Sequence, residues 1–454
     1  MKFTTTNPST EEVIGEHETD SKEQISSKAK KANKSFSAWK SLSISERGKY
    51  MLKLASVIRK NSRRYAEIAT LEMGKPIAQS LAEVEKCALT AEVYAASSEK
   101  WLEDEIVQAD GKKHLVTFKP IGTVLSIMPW NFPYWQVYRF AIPALMSGNV
   151  SILKHSNIVP ECALAIEDSF SEARFPEGVF QAVISEHGSV KELVSSEFIH
   201  GVSLTGSTEV GSRIAELCGK NIKKCVLELG GSDPFIVLKD ADVENAAMKA
   251  VKARILNSGQ SCIAAKRIIV ERSIADEFTK KFANYMEALK VGDPFDMETE
   301  VGPLASKSQL LKIESQVADA VSKRGKILAG GKRLPGKGYF YAPTVIADTS
   351  PKMRVVSEEV FGPVAPVIVA RNEKEALEIA NDTEYGLGAS VWTKDEKKGI
   401  EIAKKLEAGM VFVNGVVKSD PRMPFGGIKK SGLGRELSKY GLMEFVNIKT
   451  INLY

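Results

Sequence analysis

Cysteines and histidines at metal or redox spacing are missing from this chain. The five cysteines, Cys87, Cys162, Cys218, Cys225 and Cys262, form an odd set without a C-x-x-C, which argues against a disulfide framework and a zinc site and predicts reduced thiols. The five histidines, His17, His114, His155, His187 and His200, are equally scattered, so no metal is expected. No apolar run is long enough to span a membrane, and the opening Met-Lys-Phe-Thr-Thr-Thr-Asn-Pro lacks the apolar core of a signal peptide; a cytoplasmic protein without a membrane partner is expected. Charge of one sign is scarce too. With 62 basic and 57 acidic residues the net is +5, and no aromatic-basic platform goes with it, so nucleic acid is not an expected partner. The G-x-G-x-x-G fingerprint is absent, as are internal repeats, low-complexity segments and long linkers.

What remains is the composition of a globular protein, 43% hydrophobic and 26% charged, in 454 residues, too many for one core. Two or three domains are expected. Residues 22–101 read as helices, with Ala29, Ala32, Phe36 and Trp39, then Leu52, Leu54, Ile58 and Ala66, on buried faces. Gly74 and Pro76 read as a helix end without chemistry. Residues 113–122 alternate like a strand with one face exposed. With the apolar closing segment 446–454 they predict an edge that another subunit covers. Residues 124–237 alternate short apolar runs with helices, the pattern of a parallel sheet buried on both faces, and a second α/β region starts near Arg267.

Against this background the stretch Asn257-Ser258-Gly259-Gln260-Ser261-Cys262 presents one thiol among small residues. It is either a nucleophile or an ordinary buried cysteine. Asn131, in Pro129-Trp130-Asn131-Phe132-Pro133 after an apolar strand, is either an oxyanion donor or a turn residue. Glu228, ending another strand before Gly230-Gly231, is either a general base or a salt-bridged carboxylate. Lys154 is a sugar or phosphate ligand or an exposed strand end. Gly206 and Ser207 either face a phosphate at a helix start or simply cap that helix.

Together these stretches resemble the NAD(P)-dependent aldehyde dehydrogenase superfamily over the full chain. Pro129-Trp130-Asn131-Phe132-Pro133, Leu153-Lys154, Thr205-Gly206-Ser207, Glu228-Leu229-Gly230-Gly231, Gly259-Gln260-Ser261-Cys262, Glu359-Val360-Phe361-Gly362-Pro363 and Pro424-Phe425-Gly426-Gly427 follow in the family's order. The resemblance implies an α/β fold with a Rossmann-type cofactor domain (residues 1–110 and 124–230), an α/β catalytic domain (231–426) and a small β oligomerisation element (111–123 and 427–454). It implies Cys262 as nucleophile, Asn131 as oxyanion donor and Glu228 as base, with the reaction passing through a thiohemiacetal and a thioester on Cys262. Trp130, Lys154, Ser156, Asn157, Gly206, Ser207, Leu229, Glu359 and Phe361 are implied as cofactor ligands, and a homodimer or homotetramer as the assembly.

Within the superfamily the chain is most similar to succinate-semialdehyde dehydrogenases, through Leu153-Lys154-His155 and the ending Ser431-Gly432-Leu433-Gly434-Arg435-Glu436-Leu437-Ser438. That similarity implies Arg139 and Ser419 as partners of a distal carboxylate; Arg139 alone reads equally as a surface helix charge. There are departures. Leu256 replaces a second carboxylate-binding arginine, leaving Arg254, Lys418 or Arg422 to supply charge, and Phe140 stands where many relatives have lysine. Asn157 replaces a glutamate found in NAD-selective relatives, so NADP is expected to be accepted, and preferred to NAD, because nothing at that position repels a 2′-phosphate. A broad-specificity aliphatic aldehyde dehydrogenase and an idle member of the fold with a binding or structural role are the alternatives.

Overall fold

The computed structural model describes residues 2–186 and 188–454, so His187 lies outside the described residues. Four helices, Lys22–Ser41, Ile44–Lys60, Ser62–Met73 and Ile77–Trp101, open the main body after a hairpin of Lys2–Thr6 with Val13–Glu18 that had no period-2 signal strong enough to predict it. Ser21 and Ser43 each close a capping box, with Gln24 and Glu46, and fix the first two helix starts. Gly74 ends the third helix at φ +76°, where a side chain would strike Pro303. Ala29, Ala32, Trp39, Leu54, Ile58 and Ala66 are buried as expected; Leu52 is exposed, and Met51 takes the inward position beside it.

The first of these helices packs on a six-stranded sheet whose order is Gly432–Leu433, Lys224–Glu228, Gly201–Thr205, Thr123–Met128, Val150–His155 and Phe180–Val183, and the other three pack on helices Trp135–Met146 and Pro160–Glu172 that cover it. The last five strands are parallel and only Gly432–Leu433 is antiparallel. Thr123–Met128 lies between Val150–His155 and Gly201–Thr205, so the order reverses beside it, and ligands in open α/β sheets bind at the carboxyl ends around such a reversal. Pro129-Trp130-Asn131 and Gly206-Ser207 leave the two strands that flank that point.

A second sheet of seven strands runs Lys326–Ala329, Thr344–Ala347, Val364–Ala370, Ala265–Glu271, Asp233–Val237, Gly388–Trp392 and Met410–Val413. Phe235 and Ile268 enter the core on one of its faces, Ile236 and Ile269 the core on the other, as strand alternation dictates. A third sheet pairs Val446–Leu453 with Lys113–Pro120, and the latter with Glu105–Val107, all antiparallel.

The boundaries drawn from sequence shift accordingly. Glu105–Val107 belongs to the three-stranded sheet rather than to the N-terminal helical layer, and Gly432–Leu433 belongs to the six-stranded sheet rather than to the terminal β element. In the second case Gly432 lies so close to the Leu227 carbonyl that a side chain could not be admitted. No described helix is long and apolar enough to cross a membrane.

Candidate active site

Cys262 lies in the turn between helix Val243–Ile255 and strand Ala265–Glu271. Asn257, Ser258 and Gly259 take φ of 54°, 55° and 77° in succession, a left-handed run that bends the chain back on itself. A Cβ on Gly259 would collide with the carbonyl of Gly362, so glycine is required there on two counts. The run is held by Arg254, fully buried, which donates to the carbonyls of Gly259 (2.8 Å), Ala265 (3.1 Å), Val360 (3.2 Å) and Gly362 (2.7 Å). One guanidinium thus ties the thiol loop to the loop bearing Glu359 and Phe361.

Asn131 is fastened to the same turn. Its Nδ2 donates to the Gln260 carbonyl (3.0 Å), its Oδ1 accepts from Gln136 Nε2 (3.0 Å), and its own carbonyl accepts from Asn257 Nδ2 (2.6 Å). The amide is therefore oriented with its N–H edge toward the thiol loop. Below the turn, the buried Lys266 Nζ donates to the carbonyls of Ser261 (2.8 Å) and Cys262 (2.6 Å) and stands 3.6 Å from Glu359 Oε1.

Two cavities meet at this point. The larger, about 760 Å³, is lined by Lys86, Phe132, Trp135, Arg139, Phe425 and Ser419 among others; the smaller, about 190 Å³, by Trp130, Asn131, Gly206, Ser207, Leu229, Glu359 and Phe361 among others. Cys262 and Gln136 line both. In the smaller cavity, Trp130 and Phe361 meet edge-on with centroids 5.8 Å apart, and Glu359 Oε1 accepts from the Gly231 N–H (3.1 Å). A side chain at Gly230 would come within 2.7 Å of Glu359 Oε2, so the glycine pair makes room for that carboxylate. Ser207 caps helix Thr208–Lys220 through Val210 and lines the cavity as well, so the two readings of this turn coexist.

Lys154, Ser156 and Asn157 stand apart from the lining of either cavity, at the carboxyl end of Val150–His155. Lys154 is a buried strand end, not an exposed one: Nζ donates to the His155 carbonyl (2.9 Å) and to Asn157 Oδ1 (3.1 Å), and burial brings it down to about 8.

Glu228 is also outside both linings. Its carboxylate is buried without a hydrogen-bond partner among the described residues, 2.5 Å from where a Cβ on Gly426 would sit, so it is not the salt-bridged residue of the alternative reading. Burial, and next the neighbouring Glu436, push it well above the usual carboxylate range, while Arg139 pulls the other way. Arg139, far from being a surface charge, is 2% exposed, ion-paired with Glu436, stacked over Phe425 and bonded to Thr205 Oγ1 (3.3 Å). Cys262 is half-buried, and burial pushes its thiol up to about 12 against the opposing charges of Lys266 and Arg139.

Several contributors were not foreseen. Glu83 accepts from the Tyr134 (2.9 Å) and Trp135 (2.8 Å) N–H groups at the start of helix Trp135–Met146, and pairs with the fully buried Lys75, whose Nζ lies 3.9 Å from the Phe132 ring centroid. The Gly74-Lys75-Pro76 segment therefore supports the Asn131 loop as well as ending a helix. Lys86, one turn on from Glu83, lies 4.2 Å above the Trp135 ring and donates to Ser419 Oγ at 2.6 Å. Gln79, Ala82, Glu83 and Lys86 share a cavity-facing helix stripe; its i, i+3, i+4, i+7 spacing was readable, but its polar residues pass for a solvated face. Of the three residues expected to replace a second arginine, Arg254 is locked on backbone carbonyls and Arg422 is paired with Asp420 (2.6 Å); Lys418 lines the larger cavity but is exposed. Phe140 packs edge-on against Phe445.

The comparisons agree with this geometry. A family model described as the aldehyde dehydrogenase family matches residues 1–451. A Synechocystis protein named "Probable succinate-semialdehyde dehydrogenase [NADP(+)]" is 45% identical over 99% of both chains, and "Succinate-semialdehyde dehydrogenase [NADP(+)] 1" of Mycobacterium tuberculosis is 44% identical over 99% of both. The crystal structure of succinic semialdehyde dehydrogenase from Streptococcus pyogenes, in complex with NADP+, superposes with a TM-score of 0.97 at 34% identity, covering 99% of each chain. With a thiol set where two cavities join, and with this likeness along its whole length, the chain belongs to the aldehyde dehydrogenase family.

Proposed function

We propose that the protein oxidises succinate semialdehyde to succinate with NADP, NAD serving less well, in the cytoplasm and as a homodimer or homotetramer. The observation that carries this is the position of Cys262 in the lining of both cavities, the larger of which holds Lys86, Arg139 and Ser419 for a distal carboxylate. The names of the relatives, 44–45% identical, point to the same substrate and cofactor. The six-stranded sheet is the cofactor domain, the seven-stranded sheet the catalytic domain and the three-stranded sheet the oligomerisation element.

The smaller cavity suits the nicotinamide, its ribose and the pyrophosphate of a nicotinamide dinucleotide. Ser207, at the start of helix Thr208–Lys220, faces the pyrophosphate with that helix's N-terminus, Gly206 lines the approach while its own N–H is held by the Glu228 carbonyl (3.0 Å), Glu359 takes ribose hydroxyls, and Trp130, Leu229 and Phe361 form apolar walls. Lys154, Ser156 and Asn157 serve the adenosine ribose, where Asn157 places no carboxylate against a 2′-phosphate.

Cys262, as thiolate, adds to the aldehyde carbon to form a thiohemiacetal, and its oxyanion is held by Asn131 Nδ2–H and the Cys262 backbone N–H. Each such donor is typically worth roughly 3 kcal/mol. The nicotinamide, when bound, supplies the hydride acceptor that leaves a thioester on Cys262. Glu228, without a hydrogen-bond partner among the described residues, turns from Gly426 toward the thioester and, once its own proton has gone to solvent, takes as carboxylate the proton of the attacking water. Succinate leaves and the thiolate returns.

The test is formation of reduced nicotinamide by wild type and Cys262→Ala, with succinate semialdehyde and a neutral aldehyde of similar length, using both cofactors. Preference for the semialdehyde and for NADP, with no turnover by the variant, supports the reading. A kcat/KM about tenfold higher with NAD would remove the cofactor preference, equal or better use of the neutral aldehyde would favour broad aliphatic specificity, and no turnover with any pair would favour an idle fold.

A further inference from the structure

The larger cavity needs a cation to receive a distal carboxylate, because an unpaired charge is costly to desolvate. Arg139 is the arginine that lines it, but its charge is already met by the buried Glu436, and one of its terminal nitrogens is engaged by Thr205. Lys252 and Lys418 are exposed at the rim, and Lys290 is paired with Asp296 at 2.7 Å. Lys86 differs from all of these. It is half-buried on the cavity-facing stripe of helix Ile77–Trp101, its Nζ is 4.2 Å above Trp135, and its hydrogen bond goes to a neutral hydroxyl, Ser419 Oγ, at 2.6 Å. The carboxylates nearest it are otherwise taken: Glu83 by Lys75 and Asp420 by Arg422.

We propose that Lys86 is the specificity-determining cation of the substrate cavity, receiving the distal carboxylate of the aldehyde beside Ser419 in place of the arginine that Leu256 lacks. This rests on the semialdehyde reading above. The ammonium gives one charge-assisted hydrogen bond to the carboxylate and another to Ser419, and the Trp135 face stabilises the cation from below. The acid is thereby admitted without disturbing the Arg139–Glu436 pair.

The experiment compares kcat/KM for succinate semialdehyde and for a neutral aldehyde of similar length in wild type, Lys86→Met and Lys86→Arg. Wild type prefers the semialdehyde; Lys86→Met lowers the ratio of the two kcat/KM values roughly 10- to 100-fold, mostly through KM, and Lys86→Arg restores most of it. A preference kept by Lys86→Met, or a loss shared equally by both aldehydes, overturns the role of Lys86 while the semialdehyde reading stands. A wild type with no preference overturns both.

A second measurement needs no variant. Burial, and next Arg139, bring Lys86 down to about 8, with Cys87, Glu83 and Asp420 opposing. The wild-type ratio therefore falls as pH rises from neutrality through the range in which Lys86 loses its proton, whereas Cys262 titration affects both aldehydes and cancels. A ratio flat across that range assigns the carboxylate to Arg139 and overturns the proposal.

Discussion

At the scale of residues, Cys262 is held in surroundings that disfavour its thiolate, since burial outweighs the nearby charges of Lys266 and Arg139. Alkylation of the cofactor-free enzyme by iodoacetamide should therefore keep accelerating as pH rises, without levelling off near neutrality; a plateau by pH about 7 would mean an already ionised thiol. Glu228 shows the same bias toward its proton, again chiefly through burial. Its basic form grows with pH, so a deacylation-limited kcat should still be climbing above the usual carboxylate range, and Glu228→Gln should lower steady turnover by roughly 10²- to 10⁴-fold while leaving a burst of about one equivalent of reduced nicotinamide. Loss of the burst along with turnover would show that Glu228 acts before the thioester forms.

At the scale of elements, the thiol turn is rigid because its strained residues are tied from outside. Arg254→Met leaves up to four buried carbonyls short of a donor and should destabilise the enzyme by roughly 2–5 kcal/mol, read in calorimetry as a fall in Tm. Gly259→Ala should cost about 1–3 kcal/mol at its positive φ and lower kcat further by shifting Cys262; unchanged kcat would mean that the turn relaxes freely. What the sequence reveals follows the range of the forces involved. The strands ending at Met128, Thr205 and Glu228 were legible because a parallel strand buried on both faces must be apolar, the Asn131 motif because it follows directly on such a strand, and the Cys262 motif because small residues mark close backbone approach. Arg254, Lys75, Glu83, Lys86 and Lys266 were not. Their partners lie as far away as Gly362, Tyr134 and Ser419, and a charged residue on a local pattern passes for a solvated face until the fold brings those groups together.

At the scale of the molecule, the three-stranded sheet leaves Ile106, Ile448, Ile451 and Leu453 exposed, and Val446–Leu453 is the longer of its two edge strands, the other being Glu105–Val107. An apolar edge of this kind invites pairing with another chain, so if the proposed homodimer or homotetramer is built on it, Ile448→Glu with Ile451→Glu gives a smaller species than wild type in light scattering; an unchanged mass would mean that this edge is not the contact. The proposed reaction depends above all on the joining of the two cavities at one sulfur, which would let a single thiol carry the substrate from hydride loss to hydrolysis. The most direct measurement is mass spectrometry of Glu228→Gln, quenched in acid after mixing with succinate semialdehyde and NADP. The predicted result is a succinyl group on the peptide carrying Cys262, absent without NADP and absent in the Cys262→Ala, Glu228→Gln double variant. Reduced nicotinamide formed with that peptide unmodified would contradict the thioester and, with it, the role given to Cys262.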